Sequence, residues 1–394
     1  MLKNTIQFFK HKPSITLGLL FPVSSLLLGI WVATLPDIKH RLNFTDGTLG
    51  LSLLLAPLGS LTAVAVSSKV FSKVKVGKAM IIGFTLQCIF YIAQVVALNR
   101  MMFWVGLYAV GFIGCLNGIS VNAVVDMVEK KYQRKIMSSC HGMYSLGGGV
   151  SAGLAALFNS LHISPLIQIL LVVVTILLGI FLLRSQILSH QQLIHSESSF
   201  AAPPASIIGL AFICFVTFMG EGCIADWSAI YLKESLHSSI AIASMGFAGF
   251  SILMAVGRFN GDVWVLSTGP KRLVVAGTIL ATIGFALVVF FTYPATAILG
   301  FTLVGLGFSC TVPILFSAAA NVQGVSAATG IAAVASGGLV GFLVGPAIIG
   351  IIAEKANLAT GLSFVLVLTV LSAFVASRNR FLGGNMSSSF IELP

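Results

Sequence analysis

The sequence contains twelve stretches of roughly 20 or more predominantly apolar residues, separated by short polar segments. At a rise of 1.5 Å per residue, a helix of about 20 residues crosses the hydrocarbon core of a bilayer, which is about 30 Å thick. Only 8% of the 394 residues are charged, against about 25% in a soluble domain. We therefore predict an all-α membrane protein with twelve transmembrane helices. Their predicted bounds are 16–36, 49–68, 79–98, 101–125, 136–158, 163–183, 206–232, 238–257, 273–293, 295–320, 325–352 and 358–377.

The distribution of basic residues predicts the orientation of these helices. With the N-terminus in the cytoplasm, one side holds seventeen Lys and Arg residues and the other only five. Cytoplasmic loops are enriched in Lys and Arg, so we expect both termini in the cytoplasm of a multi-pass protein of the bacterial inner membrane. The basic residues 1–14 precede an apolar run with no small-residue cleavage site. This pattern is typical of a retained first helix and not of a cleaved signal peptide.

A polar segment near the middle of the chain predicts two halves. Residues 184–205 are rich in Ser and His and end in two prolines, as expected for a linker. This linker, 184–205, would join an N-terminal six-helix bundle, 1–183, to a C-terminal six-helix bundle with a cytoplasmic tail, 206–394. Gly111 and Gly305 occupy corresponding positions in the two halves, 194 residues apart. Two pseudo-symmetric halves with a site between them are a common transporter arrangement.

Two carboxylates, Glu221 and Asp226, interrupt the apolar run 206–232, which contains no Lys or Arg. A charged side chain at the centre of a bilayer costs roughly 2.5–3.5 kcal/mol on insertion scales, and such residues usually mark an ion or substrate path. Glu221 lies near the middle of the run and is the first candidate for proton coupling; the alternative is a structural hydrogen bond to a neighbouring helix. Asp226 is turned about 140° away on a regular helix. It is the second coupling candidate, with a position at the outer gate or a capping role as alternatives.

Other polar side chains inside the apolar runs predict a polar lining for a solute. For each amide the alternative is a hydrogen bond between helices, for the histidine a packed ring, and for the tryptophan an anchor at the membrane interface. The candidate substrate-binding residues are Gln87, Gln94, Asn117, Asn122, His141, Tyr144 and Trp227.

Several classes of function and partner are disfavoured by what the sequence lacks. No Lys or Arg is expected in the central part of any run, which favours a neutral or cationic solute over an anion. The sequence contains no Walker motif and no recognisable catalytic arrangement, and its six cysteines lack CxxC or zinc-type spacing. We therefore expect no enzymatic activity, cofactor, metal or nucleic-acid partner. The expected partners are a small-molecule substrate, protons and the lipid bilayer, and we expect a monomer.

Six segments resemble those of the major facilitator superfamily. The resemblance extends over the whole chain and is closest to bacterial inner-membrane permeases near the fucose-permease-like branch. It implies secondary active transport of a small polar solute, sugar-like or a related metabolite, by alternating access. The segments are WVATLPDIKHRL (Trp31 to Leu42), NAVVDMVEKK with Asn122 and Glu129, SSCHGMYSLGGG (Ser138 to Gly149), GEGCIADWSAIYL (Gly220 to Leu232), GRFNGD (Gly257 to Asp262) and GFLVGPAIIG (Gly341 to Gly350).

The resemblance also implies gating loops with the family signature G-x-x-x-D-R-x-G-R-R. In the first half this signature is degenerate, because Val74 stands where the acid belongs. The alternative for its lysines is that they only fix topology. The residues implied in gating are Gly77, Lys78, Arg258, Asp262 and Arg272.

Two other functions remain open from the sequence. One is a proton-driven exporter of amphipathic drugs or metabolites. The other, from a different class, is a non-transporting membrane receptor or assembly factor. The glycine-proline motif that drug exporters commonly carry in helix 5 is missing, since Gly147 to Gly149 are followed by no proline there. This weighs against a drug antiporter.

Overall fold

The structure is a computed structural model that describes residues 8–193 and 205–383. The described chain is a bundle of α-helices without β-strands, with one π-helical turn at Tyr231–Ser235. Its α-helices are α1 (Lys12–Gly18), α2 (Phe21–Arg41), α3 (Asp46–Leu53), α4 (Leu55–Phe71), α5 (Val76–Val95), α6 (Arg100–Tyr132), α7 (Met137–Ser160), α8 (Pro165–Leu188), α9 (Ile208–Ile230), α10 (Ile240–Thr268), α11 (Pro270–Phe290), α12 (Pro294–Phe308), α13 (Thr311–Ala320), α14 (Ala327–Lys355) and α15 (Leu358–Arg378).

The prediction of an all-α membrane protein is confirmed. Within the described residues, eleven helical stretches are long and apolar enough to cross a membrane. The predicted run 136–158 is not among them, but it corresponds to α7, a helix of 24 residues that contains several glycines and serines. Glycine lowers mean hydropathy and also lets helices approach closely. All twelve predicted runs are therefore helical.

Three of the membrane-crossing stretches consist of two helices because a proline follows each break. Proline lacks an N–H group, and its ring clashes with the carbonyl four residues earlier. Pro22 and Pro57 lie four residues after the last residues of α1 and α3, and Pro313 lies four residues after Ser309, where α12 has just ended. A proline thus accompanies each break, although Pro36 in α2 and Pro346 in α14 are accommodated in continuous helices.

Four predicted helix ends are wrong. α2 continues to Arg41 instead of 36, α6 to Tyr132 instead of 125, α8 to Leu188 instead of 183, and α10 to Thr268 instead of 257. Charged side chains had been taken as markers of a loop, yet each of these helices carries its charges onward in regular helix. The predicted linker 184–205 is correspondingly shorter at its start, and its residues 194–204 lie outside the described residues, as do 1–7 and the predicted tail from 384.

Helices on either side of residues 194–204 pack against one another. We call α1–α8 the first-half helices and α9–α15 the second-half helices. The end of the bundle where α1 starts and α15 ends is the terminal face, and the other end is the distal face. α7 lies against α10 along most of its length, and α3 lies against α14 near the distal face. These two contacts are the main connections between the first-half and second-half helices.

The α7–α10 contact depends on a missing side chain. A Cβ added to Gly149 of α7 would lie 3.0 Å from the Ile252 nitrogen and 3.2 Å from the Ala248 oxygen of α10. These distances are shorter than nine in ten real Cβ contacts, so the absence of a side chain at Gly149 lets the two helices approach closely.

Candidate functional site

Glu221 lies in the middle of a membrane-crossing helix. It is 13 residues from Ile208 and 14 from Ser235, which are the ends of the helical stretch, or about 20 Å from each at 1.5 Å per residue. Its side chain is 21% exposed, and its Oε2 lies 3.8 Å from Nη2 of Arg258. Its Oε1 is buried and has no hydrogen-bond partner among the described residues. Half of this carboxylate is therefore left unsatisfied inside the bundle.

Arg258 lies inside α10, ten residues before its end at Thr268. The placement of Arg258 in a gating loop is therefore wrong, and so is the expectation that no basic residue lies centrally in a run. The charge is tolerated because its partners come from two other helices. Nη1 donates to the Ser145 hydroxyl at 2.8 Å and to the His141 carbonyl at 3.4 Å, and the carboxylate of Glu221 is nearby.

Arg258 thereby connects a second-half helix to a first-half helix. Ser145 and His141 belong to α7, and Ser138 of the same helix donates its hydroxyl to the Arg258 carbonyl at 2.9 Å. Both the side chain and the backbone of Arg258 are thus held by α7. Any relative movement of α7 and α10 at this level must change these hydrogen bonds.

The predicted residues His141 and Tyr144 lie beside this ion pair. The His141 ring packs edge-on against Phe21 of α2, with ring centroids 5.2 Å apart. Tyr144 lies within electrostatic range of both Glu221 and Arg258. The structure therefore brings these two predicted site residues together with the first coupling candidate.

Asp226 is partly exposed and has no hydrogen-bond or ion-pair partner among residues 8–193 and 205–383. It lies within electrostatic range of Tyr91 on α5, which is itself within range of Tyr144. Asp226 therefore faces the first-half helices. Tyr91 was missed from the sequence, although it follows Gln87 by one helical turn and shares its face.

The predicted amides separate into a satisfied cluster and two unsatisfied side chains. Gln87 Oε1 accepts from the Asn117 amide at 3.0 Å and from the Ser24 hydroxyl at 2.9 Å, which joins α5, α6 and α2. By contrast, Asn122 Oδ1 and both amide atoms of Gln94 are buried without partners among the described residues. Gln94 packs on Gly106 near the distal end of α5, away from the satisfied cluster.

Trp227 has 0% exposure and does not line an accessible surface in this conformation. Its ring lies 3.2 Å from where a Cβ of Gly350 would be, so it fills the contact between α9 and α14. In this conformation the ring is therefore shielded from any solute, and its role in solute binding stays a prediction. Its burial belongs to the closed packing of the distal half of the bundle.

Gly77 is required by backbone packing within the first-half helices. A Cβ there would lie 2.2 Å from the carbonyl oxygen of Ile187, at the end of α8. The Gly77 N–H donates to the His190 carbonyl at 3.0 Å, which satisfies a free amide at the start of α5. Burial lowers the pKa of His190, so its ring is neutral at pH 7 near the positive end of a helix.

The remaining residues implied in gating also lie on helices. Lys78 is in the first turn of α5 and Arg272 in the first turn of α11, and both are exposed. Asp262 lies in α10 within electrostatic range of Lys135, which precedes α7. A cavity of about 30 Å³ between Ser138, Arg258 and Asp262 lies at this junction. Only Arg258 and Asp262 of the five therefore interact across the two sets of helices.

A charged cluster on the distal face was not predicted. Lys39 of α2 donates to Asp46 at 2.6 Å and also to Glu234, which lies in the π-helical turn after α9. Glu354 at the end of α14 accepts from the Gly47 N–H at 3.0 Å. Two contacts between first-half and second-half helices therefore close the distal face. Glu234 and Glu354 lie 195 and 307 residues from Lys39 and Gly47, so spacing gave no signal for these two contacts.

Comparison with known proteins agrees with this architecture. The family model "Major Facilitator Superfamily" matches residues 210–382. An uncharacterized MFS-type transporter of Yersinia pestis is 32% identical over 89% of this chain and 92% of its own length. Membrane protein MosC of Rhizobium meliloti is 30% identical over 90% of this chain and 86% of its own length. This chain belongs to the major facilitator superfamily, a family of membrane transporters.

The fold is also that of solved transporters. A bacterial homolog of the human lysosomal transporter Spinster, in an inward-facing and unoccupied conformation, matches with a TM-score of 0.68. The match covers 94% of this chain and 97% of that chain at 13% identity. At this identity the likeness establishes the fold alone.

Proposed function

We propose that this protein is a proton-coupled secondary transporter that moves a small polar solute, sugar-like or a related metabolite, by alternating access. The observation that carries the proposal is the state of Glu221. One of its oxygens is buried without a partner, and the other is paired loosely with Arg258 in the middle of the bundle. Intramembrane carboxylates in such positions usually serve ion or substrate paths.

Glu221 is connected to the contact between first-half and second-half helices through Arg258. An ionised Glu221 attracts the guanidinium, whereas a protonated Glu221 leaves it to the Ser145 hydroxyl and His141 carbonyl on α7. Proton binding therefore alters the strength of a contact that must change when α7 and α10 move. Asp226 is the second coupling candidate, since it faces Tyr91 without a partner of its own.

Contacts between first-half and second-half helices close the distal face in this conformation, and transport requires these contacts to open. Lys39 with Glu234, and Glu354 with the Gly47 N–H, must separate before a solute can enter from that side. Two other contacts must change nearer the terminal face. They are those between Asp262 and Lys135 and between Arg258 and Ser145. Alternation between the two sets of contacts gives alternating access.

The terminal face is proposed to lie in the cytoplasm of a bacterial inner membrane, with the protein a monomer of two pseudo-symmetric halves. Removing Arg258 from the seventeen basic residues counted on that side leaves sixteen against five. The charge bias therefore survives the corrected helix end, and a bias of this kind orients membrane proteins. The fucose-permease-like branch remains a prediction from the sequence segments.

The test is solute-dependent proton movement into proteoliposomes that contain the purified protein and a trapped pH-sensitive dye. Sugars, polyols, sugar acids, amino acids, nucleosides and amphipathic cations are added one at a time. A polar solute that acidifies the lumen only when the protein is present supports the proposal. Acidification or alkalinisation by amphipathic cations alone would favour the exporter. Binding without proton movement or flux for any solute would favour a receptor or assembly factor.

A further inference from the structure

We propose that the transported solute is a hydroxylated monocarboxylate whose carboxylate pairs with Arg258 while Glu221 carries the co-transported proton. The inference rests on the proposed proton-coupled transport and adds to it the charge of the solute.

Arg258 is the basic residue that a solute would meet in the middle of the bundle. Within residues 8–193 and 205–383, every other Lys or Arg of a helical stretch lies within four residues of an end of that stretch, whereas Arg258 is ten residues from the end of α10. Among the described residues, an anion held midway across the membrane therefore has no other Lys or Arg at this depth to pair with. The positive charge of Arg258 therefore favours a solute with a negative charge.

The guanidinium of Arg258 has donors to offer. Its Nη1 is committed to α7, but Nη2 and Nε make no hydrogen bond among the described residues, and the 3.8 Å separation from Glu221 is longer than a direct hydrogen bond. A guanidinium can bind a carboxylate through two parallel N–H donors. A solute carboxylate could take these donors without disturbing the hydrogen bond to Ser145.

Charge balance favours an anion over a neutral or cationic solute. In the structure, ionised Glu221 and Arg258 sum to zero. When a solute carboxylate takes the place of Glu221 at Arg258 and Glu221 accepts one proton, the sum is again zero. A neutral solute with a proton would leave Arg258 uncompensated in a medium that penalises unpaired charge.

The other groups around Glu221 and Arg258 keep the same net charge with and without bound solute. Asp226 is not displaced by the exchange, and the nearby phenols of Tyr91 and Tyr144 are neutral donors and acceptors. Neither phenol hydroxyl makes a hydrogen bond among the described residues, so both are available to hydroxyl groups on the solute. The other titratable groups near Glu221 or Arg258 are His141, Cys214, Asp262 and Cys310.

The exchange requires no covalent step. The solute carboxylate displaces the Glu221 carboxylate from Arg258, and the displaced Glu221 takes a proton from the same side of the membrane. Release on the other side runs in reverse: Glu221 loses the proton and returns to Arg258 as the solute leaves. One proton and one anion cross together, so transport is electroneutral.

The experiment compares carboxylates with neutral partners of the same shape. Gluconate with sorbitol, glycerate with glycerol, glucuronate with glucose, and lactate with lactamide are tested for stabilisation of the detergent-purified protein against heat. Hits are then tested for uptake into proteoliposomes. We expect at least one carboxylate to stabilise the protein and its neutral partner not to. We also expect uptake driven by an inward proton gradient and unchanged by an imposed membrane potential.

Variants separate the two roles. Arg258→Gln should weaken carboxylate binding about tenfold or more, because the guanidinium fork is lost, and Arg258→Lys, which keeps the charge, should retain the preference for the carboxylate with lower affinity. Glu221→Gln should retain binding and lose its dependence on pH. Gly179→Ala on α8, where a Cβ meets nothing within 4 Å, is the matched control.

The inference is overturned if no carboxylate stabilises the protein more than its neutral partner, or if Arg258→Gln and Arg258→Lys bind a carboxylate hit as the wild type does. Proton-driven uptake of a neutral solute would overturn it and leave the proposed function standing. Carboxylate binding through Arg258 without any proton movement would instead contradict the proposed coupling.

Discussion

Gly50 of α3 and Gly350 of α14 meet so closely at the distal face that a Cβ added to Gly350 would lie 2.9 Å from the Gly50 Cα. A Cβ on Gly50 would in turn lie 2.6 Å from the Pro346 carbonyl oxygen. These atoms belong to backbone and have little freedom to move. The fully buried ring of Trp227 lies beside them. Closure of the distal face therefore depends on the absence of side chains at this pair.

Gly350→Ala should favour a conformation in which the distal face is open, because the added methyl group separates α3 from α14. The measurement is the distance between spin labels on cysteines that replace His40 and Ser235, two exposed distal residues on opposite sides of the contact. We expect this distance to increase by several ångströms on average. Gly179→Ala serves as the control, and an unchanged distance in Gly350→Ala would contradict the role given to the glycine pair.

Lys39→Met should also open the distal face, since it leaves Asp46 and Glu234 without their shared cation. The loss in stability should fall below the roughly 3–5 kcal/mol of a broken buried pair, because the Glu234 side chain is 40% exposed. The same spin-label distance and the melting temperature report the effect. Exchange of the charges in a Lys39→Glu, Glu234→Lys double variant should partly restore closure; equal opening in both variants would argue against the ion pair.

Gly77→Ala should destabilise the protein by about 1–3 kcal/mol, the usual cost of overpacking, since its Cβ would meet the Ile187 carbonyl at 2.2 Å. Transport per folded molecule should stay unchanged, because this contact joins α5 and α8 within the first-half helices. Thermal unfolding and uptake measured on the same preparation separate the two effects. Normal stability with altered transport would restore the gating role that the resemblance implies for Gly77.

Gln87→Ala should cost about 0.6–1.7 kcal/mol, as measured for hydrogen bonds between membrane helices, since the Asn117 amide and the Ser24 hydroxyl lose their shared acceptor. Asn122→Ala should cost nothing in stability, because the Asn122 oxygen is already buried without a partner. Thermal unfolding of the two variants side by side tests this difference. A larger loss for Asn122→Ala would show that its amide is structural.

The helices could be predicted because a helix that crosses a membrane requires a run of about 20 predominantly apolar residues, which is visible in the sequence. Their ends were predicted too early where charged residues continue a helix; these charges are mostly exposed in α6 and α8, whereas Arg258 of α10 is paired inside the bundle. Arg258 was taken to end a helix, yet proline, the residue that most strongly breaks helices, does not occur between it and Pro270, and Gly261 is accommodated within α10. The missing proline was a usable signal that α10 continues.

The site was predictable only as a list of polar residues. Glu221, His141 and Tyr144 were identified because polar side chains in apolar runs are costly and so tend to be functional. Their assembly around Arg258 depends on the packing of α7 against α10, which joins residues 113 positions apart in the Arg258–Ser145 hydrogen bond. Trp227 differs from these three residues. It was predicted as a site residue because its aromatic ring is suited to stacking, but the contact between α9 and α14 buries that ring.

The most direct test of the account compares Glu221→Gln with the wild type in two uptake modes with the same solute. One mode is accumulation driven by an inward proton gradient, and the other is exchange of labelled for unlabelled solute at equal pH on both sides. The account predicts that Glu221→Gln loses accumulation and retains exchange, because a glutamine resembles the protonated carboxylate and releases no proton. Accumulation equal to that of the wild type would contradict the assignment of Glu221 as the proton-coupling residue.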